Sequence, residues 1–168
     1  TAGGPQPGAP TALSGRILNA NDAAQGIITP IEGVTIRSLD QALAVTSGAT
    51  GFFTLAGLTP GENYIEFDGS TVPGQRIAGY RARYNLPTGV NTMIDRPIYL
   101  MRIEVAFEVP VNPSLTTEVN NTRIGVRLTI PPFTAKADDG SDYTGNISIS
   151  EVPAMFTPGA GPPDLRPG

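Results

Sequence analysis

The chain contains no histidine and no cysteine, and lysine occurs once, at Lys136. Without Cys, disulfides and thiolate metal sites are excluded together; without Cys or His, the common nucleophile–base pairs are missing as well. Charge is scarce. Only 15% of the 168 residues are Asp, Glu, Lys or Arg, against ~25% in an average domain. The net charge is −4 and the ten arginines are scattered, with only Arg76, Arg81 and Arg83 approaching a cluster. Neutralising phosphates needs a concentrated basic surface, so nucleic acid is not an expected partner. No long apolar run occurs, which leaves no candidate membrane span. No secretory leader is recognisable, and an opening Thr1 in place of Met is expected of a processed chain. No stretch of useful length carries a helical period.

What the chain does have is turn and strand chemistry. Its 20 glycines and 17 prolines fall throughout, as expected for many short strands. A chain of this length buries roughly 68–70% of its extended surface, so a core is possible even at 39% hydrophobic residues. The clearest passage is Pro30-Ile31-Glu32-Gly33-Val34-Thr35-Ile36, answered by Thr50-Gly51-Phe52-Phe53-Thr54-Leu55 and stopped at Thr59-Pro60-Gly61-Glu62. Apolar and polar residues alternate and end at a turn, as a half-buried strand requires.

This reading predicts strands over 13–18, 33–39, 42–45, 51–55 and 63–67, with 19–29 a polar loop. Residues 68–92 are less regular, a loop with a broken strand. Strand character returns over 93–100. Beyond it Ile103, Val105, Phe107 and Val109 alternate, then Ile124, Val126, Leu128 and Ile130, then Ile147 and Ile149. These predict strands over 102–109, 123–130 and 146–152, forming one small antiparallel sheet. The expected architecture is all-β: a sandwich over 13–100, a second β unit over 101–153, and extended Pro/Gly-rich arms over 1–12 and 154–168.

The segments Leu13-Ser14-Gly15-Arg16-Ile17-Leu18, Pro30 through Ile36, Thr50 through Leu55 and Leu58-Thr59-Pro60-Gly61-Glu62-Asn63-Tyr64 resemble the carboxypeptidase regulatory-like domain. That domain is a transthyretin-like β-sandwich related to the Cna B-type modules of bacterial surface proteins. The resemblance covers roughly residues 13–100 and implies a fold more than a function. Further on, Arg96-Pro97-Ile98-Tyr99-Leu100, Ile130-Pro131-Pro132 and the run from Asp138 to Ile149 are similar to modules of large bacterial secreted proteins that carry RHS-type repeats. Cna B-type relatives often hold a Lys–Asn isopeptide cross-link, for which Lys136 is the sole donor here.

Candidate sites are few. Asp138, Asp139 and Asp142 form the densest acidic cluster and could supply oxygen ligands to Ca²⁺, although they lack an EF-hand pattern and equally suit a solvated hairpin turn. Apart from this calcium candidate, no cofactor is expected. Asn120 and Asn146 satisfy the N-glycosylation acceptor pattern, which carries little meaning in a bacterial protein. Tyr80, Arg81, Arg83 and Tyr84 could stack on a sugar or peptide, or simply cover a sheet edge. Glu104 and Glu108 alternate with the apolar face and are expected to point to solvent, a weak acid–base pair.

A three-stranded sheet has two open edges, which are templates for another strand. The leading expectation is therefore a non-enzymatic subunit of an extracellular or cell-surface fibre. Copies would polymerise head-to-tail by strand complementation, one arm, residues 1–13 rather than the tail, lying along an open edge of a neighbouring copy, with Ala12, Leu13 and Ile17 as inserted or docking residues and Ile103, Val105 and Phe107 as further assembly residues. The alternative is a spacer or ligand-binding module, carbohydrate-binding for instance, of a larger secreted bacterial protein. A small hydrolase is the third class.

Overall fold

A computed structural model describes residues 8–151. The tail expected over 154–168 lies outside the described residues, as do the first seven residues of the expected N-terminal arm. The described chain is all-β apart from one short helix and two 3₁₀ turns. It divides into two compact units at Arg102, two residues past the expected boundary.

The first unit is built around its opening strand. β1 (Ala12–Asn19) pairs antiparallel with β4 (Phe52–Ala56) along one side. Along the other it pairs parallel with β7 (Asn91–Met93), then with β8 (Ile98–Leu100). A second sheet runs in the order β3 (Ala44–Thr46), β2 (Thr35–Ser38), β5 (Gly61–Asp68), β6 (Tyr80–Leu86), with every neighbour antiparallel. Period-two alternation decides which side chains meet. Leu13, Ile17, Phe53 and Leu55 from one sheet join Ile36, Ile65, Phe67 and Leu86 from the other in one buried cluster. Each such burial stabilises by about 1.5–3 kcal/mol. The Phe67 ring meets Phe53 edge-on at 5.7 Å and stacks on Tyr80 at 5.9 Å, tying the layers together. Gly15 faces the same core, where a Cβ would lie 2.9 Å from the Phe53 ring. The result is a β-sandwich-like unit.

Several expectations change here. The N-terminal arm ends sooner than expected. The Thr11 carbonyl accepts from the Gly57 and Leu58 amides, its hydroxyl accepts from the Gly89 amide, and Ala12 already opens β1. Residues 68–92 contain a full seven-residue strand, β6, because Tyr80, Ala82, Tyr84 and Leu86 turn inward between outward-facing Arg81, Arg83 and Asn85. The strand expected over 93–100 is two strands, β7 and β8, broken at Asp95-Arg96-Pro97. The loop at 19–29 holds a one-turn helix, α1 (Ala20–Ala23), capped by the Asn19 side chain, which accepts from the Asn21 and Asp22 amides.

The second unit departs further. Its expected three-stranded sheet is instead two separate two-stranded ladders. β9 (Val109–Pro110) pairs with β12 (Asn146–Ile147). β10 (Thr117–Asn121) pairs with β11 (Val126–Ile130), in the register Val119 to Leu128. The alternating run Ile103, Val105, Phe107 is no strand: Val105–Phe107 is a 3₁₀ turn closed by the Phe107 and Glu108 amides on the Glu104 and Val105 carbonyls. The physical reason lies at Glu104. Its half-buried carboxylate is drawn to the turn of the β10–β11 hairpin, accepting from the Arg123 guanidinium and from Asn121 Nδ2 at 3.1 Å, contacts that favour the turn over an extended strand. Arg123 and Ile124 belong to the turn before β11, and the pairing of β12 ends at Ile147.

Candidate functional site

The outward face of the β3-β2-β5-β6 sheet carries the first unit's most ordered charges. Register sets Arg37 opposite Glu66 and Glu66 opposite Arg81. The half-exposed guanidinium groups of Arg37 and Arg81 both bond the Glu66 carboxylate, Arg81 Nε donating to Oε1 at 2.8 Å. Beside this triad the Tyr64 hydroxyl donates to Glu62 at 3.1 Å, and Arg83 stands 3.3 Å from the same carboxylate. These cross-strand pairs satisfy one another and hold three strands in register.

The expected ligand patch is therefore split by strand alternation. Arg81 and Arg83 face outward; Tyr80 and Tyr84 face the core, packed on the hydrophobic cluster. Burial pushes the Tyr84 phenol up to about 12 and raises that of Tyr80. The aromatic that shares a face with the arginines is Tyr64 on the neighbouring strand, opposite Arg83 and visible only through the β5–β6 register. A shallow cavity of about 540 Å³ opens elsewhere on the unit, with Pro30, Glu32, Thr46, Pro73 and Gln75 on its wall. It offers one carboxylate and no second group to work with it.

The other expected sites are dispersed. The Asp139 carboxylate accepts from the amide and hydroxyl of Ser141, which holds its pKa down, while Asp142 pairs with Lys136. Asp138 is exposed on the same hairpin. Among the described residues no three His, Cys, Asp or Glu side chains gather as a metal site would require. Lys136 is exposed and carboxylate-paired. Asn120 is exposed on β10, and Asn146 opens β12 with its side-chain amide 3.4 Å from Glu108. Glu104 is half-buried where full exposure was expected, and its hydrogen bond from Arg123 lowers its pKa. Among the described residues no helix is long and apolar enough to cross a membrane.

The assembly residues fare in opposite ways. Ala12, Leu13 and Ile17 are fully buried in the central strand of their own sheet, with partners on both sides. They are core residues of their own unit. Val105 is exposed but sits on a turn, with Ile103 and Phe107 partly covered. The surface that sequence reasoning missed is the β10–β11 hairpin. Val119 on β10 is 0% exposed, whereas Leu128, opposite it in register on β11, is 43% exposed, as is Val126. The outer edge of β11 pairs with no strand among the described residues. Thr117-Glu118-Val119-Asn120-Asn121 was hard to find as a strand, because only one residue of it is apolar.

Compared with known proteins, the chain matches no protein-family model and no curated protein.

Proposed function

We propose that this chain is a non-enzymatic structural module of an extracellular or cell-surface assembly, joined to its neighbours by strand addition. The observation that carries this is the state of β11: a five-residue strand with an unpaired edge and apolar side chains left half in water. Such an edge is a template for another strand, with main-chain hydrogen bonds supplying affinity and alternate side chains supplying specificity. The long edge strand of the first unit, β6, is guarded by contrast, since Arg81 and Arg83 alternate along it. Ala12, Leu13 and Ile17 already pair within their own sandwich, which favours β11 over them as the joining strand. Scarcity of charge and absence of Cys and His favour a structural role.

A second reading draws on the first unit alone. Its resemblance to carboxypeptidase regulatory-like domains, its completed central strand and its mutually satisfied charges suit a spacer within a larger secreted protein. Light scattering on a sizing column, with negative-stain imaging, separates the two. A structural module associates at submillimolar concentration in moderate salt; a strictly monomeric chain refutes the assembly reading.

A further inference from the structure

The strand Val126-Arg127-Leu128-Thr129-Ile130 reads almost the same in both directions: apolar, polar, apolar, polar, apolar. Antiparallel pairing with itself therefore needs no second sequence. Opposed residues in a ladder share a face, so only registers that set Val126, Leu128 and Ile130 against one another keep the apolar face continuous. Three such registers lie close together. Centring on Arg127 sets Arg127 against its own copy, a like-charge pair directly opposed, which is destabilising. Centring on Thr129 brings Pro131 and Pro132 into the ladder, where they have no N–H to give. Centring on Leu128 meets neither obstacle. Val126 then faces Ile130 of the second copy, and Arg127 faces Thr129 of the second copy. Within its own copy Thr129 stands opposite Glu118, and Glu118 pairs with Arg127. Each outward row across the joined strands then carries one glutamate and one arginine.

Resting on the strand-addition reading above, we propose that the partner of β11 is β11 of a second copy, paired antiparallel about a two-fold axis through Leu128. Two hairpins, each marginal alone, become a four-stranded sheet with a single apolar face. The unpaired side of β10 is a poorer choice. Its inward residues Thr117, Val119 and Asn121 are already buried, and the Asn121 side chain donates to the Ile149 carbonyl at 2.7 Å. A contact of this kind uses the same patch on both molecules, so it closes as a dimer.

The absence of cysteine makes one introduced thiol a clean reporter. Directly opposed residues in an antiparallel pair stand about 4.5–5.5 Å apart at Cα, inside disulfide range. Under mild oxidation Leu128→Cys is expected to run at twice the 17.5 kDa chain mass on non-reducing gels. Thr129→Cys is displaced along the ladder from its own copy by two residues, roughly 7 Å further along the strand, and is expected to stay uncoupled. Val126→Cys and Ile130→Cys, which leave Arg127 in place, are each expected to remain monomeric on the gel, yet to cross-link when mixed. Leu128→Lys places two charges on the axis and is expected to abolish dimers on a sizing column with unchanged far-ultraviolet circular dichroism. Association of the unsubstituted chain without this cross-linking pattern would overturn the Leu128 pairing while leaving strand addition standing. A monomeric unsubstituted chain that also fails to cross-link at Leu128→Cys would overturn both.

Discussion

Alanine at Gly51 is expected to be one of the most damaging single-methyl additions to the first unit, and the structure separates its causes. Gly51 sits at φ +77°, and a Cβ there would overlap the carbonyl oxygen of Ile17 and come 3.2 Å from the Pro30 Cβ. The left-handed conformation alone costs an L-residue about 1–2 kcal/mol, offset by about 0.4–1 kcal/mol from the stiffer unfolded chain. Relieving the overlap pushes the turn away from β1. That strains the Ile17 amide bond to the Gly51 carbonyl, 2.9 Å, and the Ile31 amide bond to the Ile17 carbonyl, 3.1 Å. Each is worth about 0.5–1.5 kcal/mol. The sum is a loss of about 1–5 kcal/mol, centred near about 3 kcal/mol, a large fraction of the about 5–15 kcal/mol that holds a domain folded. Gly26 supplies the control: φ is +76°, but nothing lies within 4 Å of the would-be Cβ. Gly26→Ala should therefore cost about 1 kcal/mol or less. At a slope of about 1–3 kcal/mol per molar urea, Gly51→Ala should lower the unfolding midpoint by roughly 1–2 M and Gly26→Ala by well under half of that. Equal midpoints for the two variants would show that backbone torsion, not contact with β1, governs the turn, and the packing argument would fail.

Other expectations concern the ionisable and polar groups. Glu104 is held below its ordinary value by Arg123, so the unfolded chain takes up its proton first; stability of the second unit should fall as pH drops through the range below 4.5, and Glu104→Gln should flatten that decline in pH-dependent urea melts. Burial holds the Tyr84 phenol at about 12 in the folded chain and raises that of Tyr80 as well, against near 10 when unfolded, so a folded-state absorbance titration should show late-ionising phenols that are lost on unfolding, and the first unit should lose stability as pH rises from about 10 to about 12; loss of the late phase in Tyr84→Phe checks the assignment, and no late phase at all would contradict the burial. Asn121→Ala should cost the second unit about 2–3 kcal/mol, because the Ile149 carbonyl and the Arg123 amide both lose their partner; Tyr143 fluorescence, compared with the tyrosines of the first unit, assigns the loss.

Strand composition was legible wherever alternation was carried by apolar residues on one face and small polar ones on the other. Val34 and Ile36, Phe53 and Leu55, Ile65 and Phe67 are all core residues of the observed sandwich. Two other classes of residue misled. Arginine and tyrosine alternating over 80–84 looked like a mixed patch, because pattern alone does not say that aromatic rings pack while guanidinium groups reach back to Glu62 and Glu66. The run at 103–109 alternates well and still bends into a turn, where the Glu104 carboxylate reaches Arg123 and Asn121. What no local pattern holds is register. The meeting of Arg37, Glu66 and Arg81, and the exposure of Leu128 opposite a buried Val119, are settled by pairing between distant segments.

The parallel contact between β1 and β8 has a bearing on biogenesis. Among the segments described, the earliest strand to leave a ribosome or a translocation channel finds its last neighbour only when Leu100 arrives, more than 80 positions later. Closing so wide a loop is slow, and until it happens the backbone edge of residues 17–19 that faces β8 has no strand to pair with. Synthesis in this order completes the second sheet, through Leu86, before the opening strand gains its final in-plane neighbour.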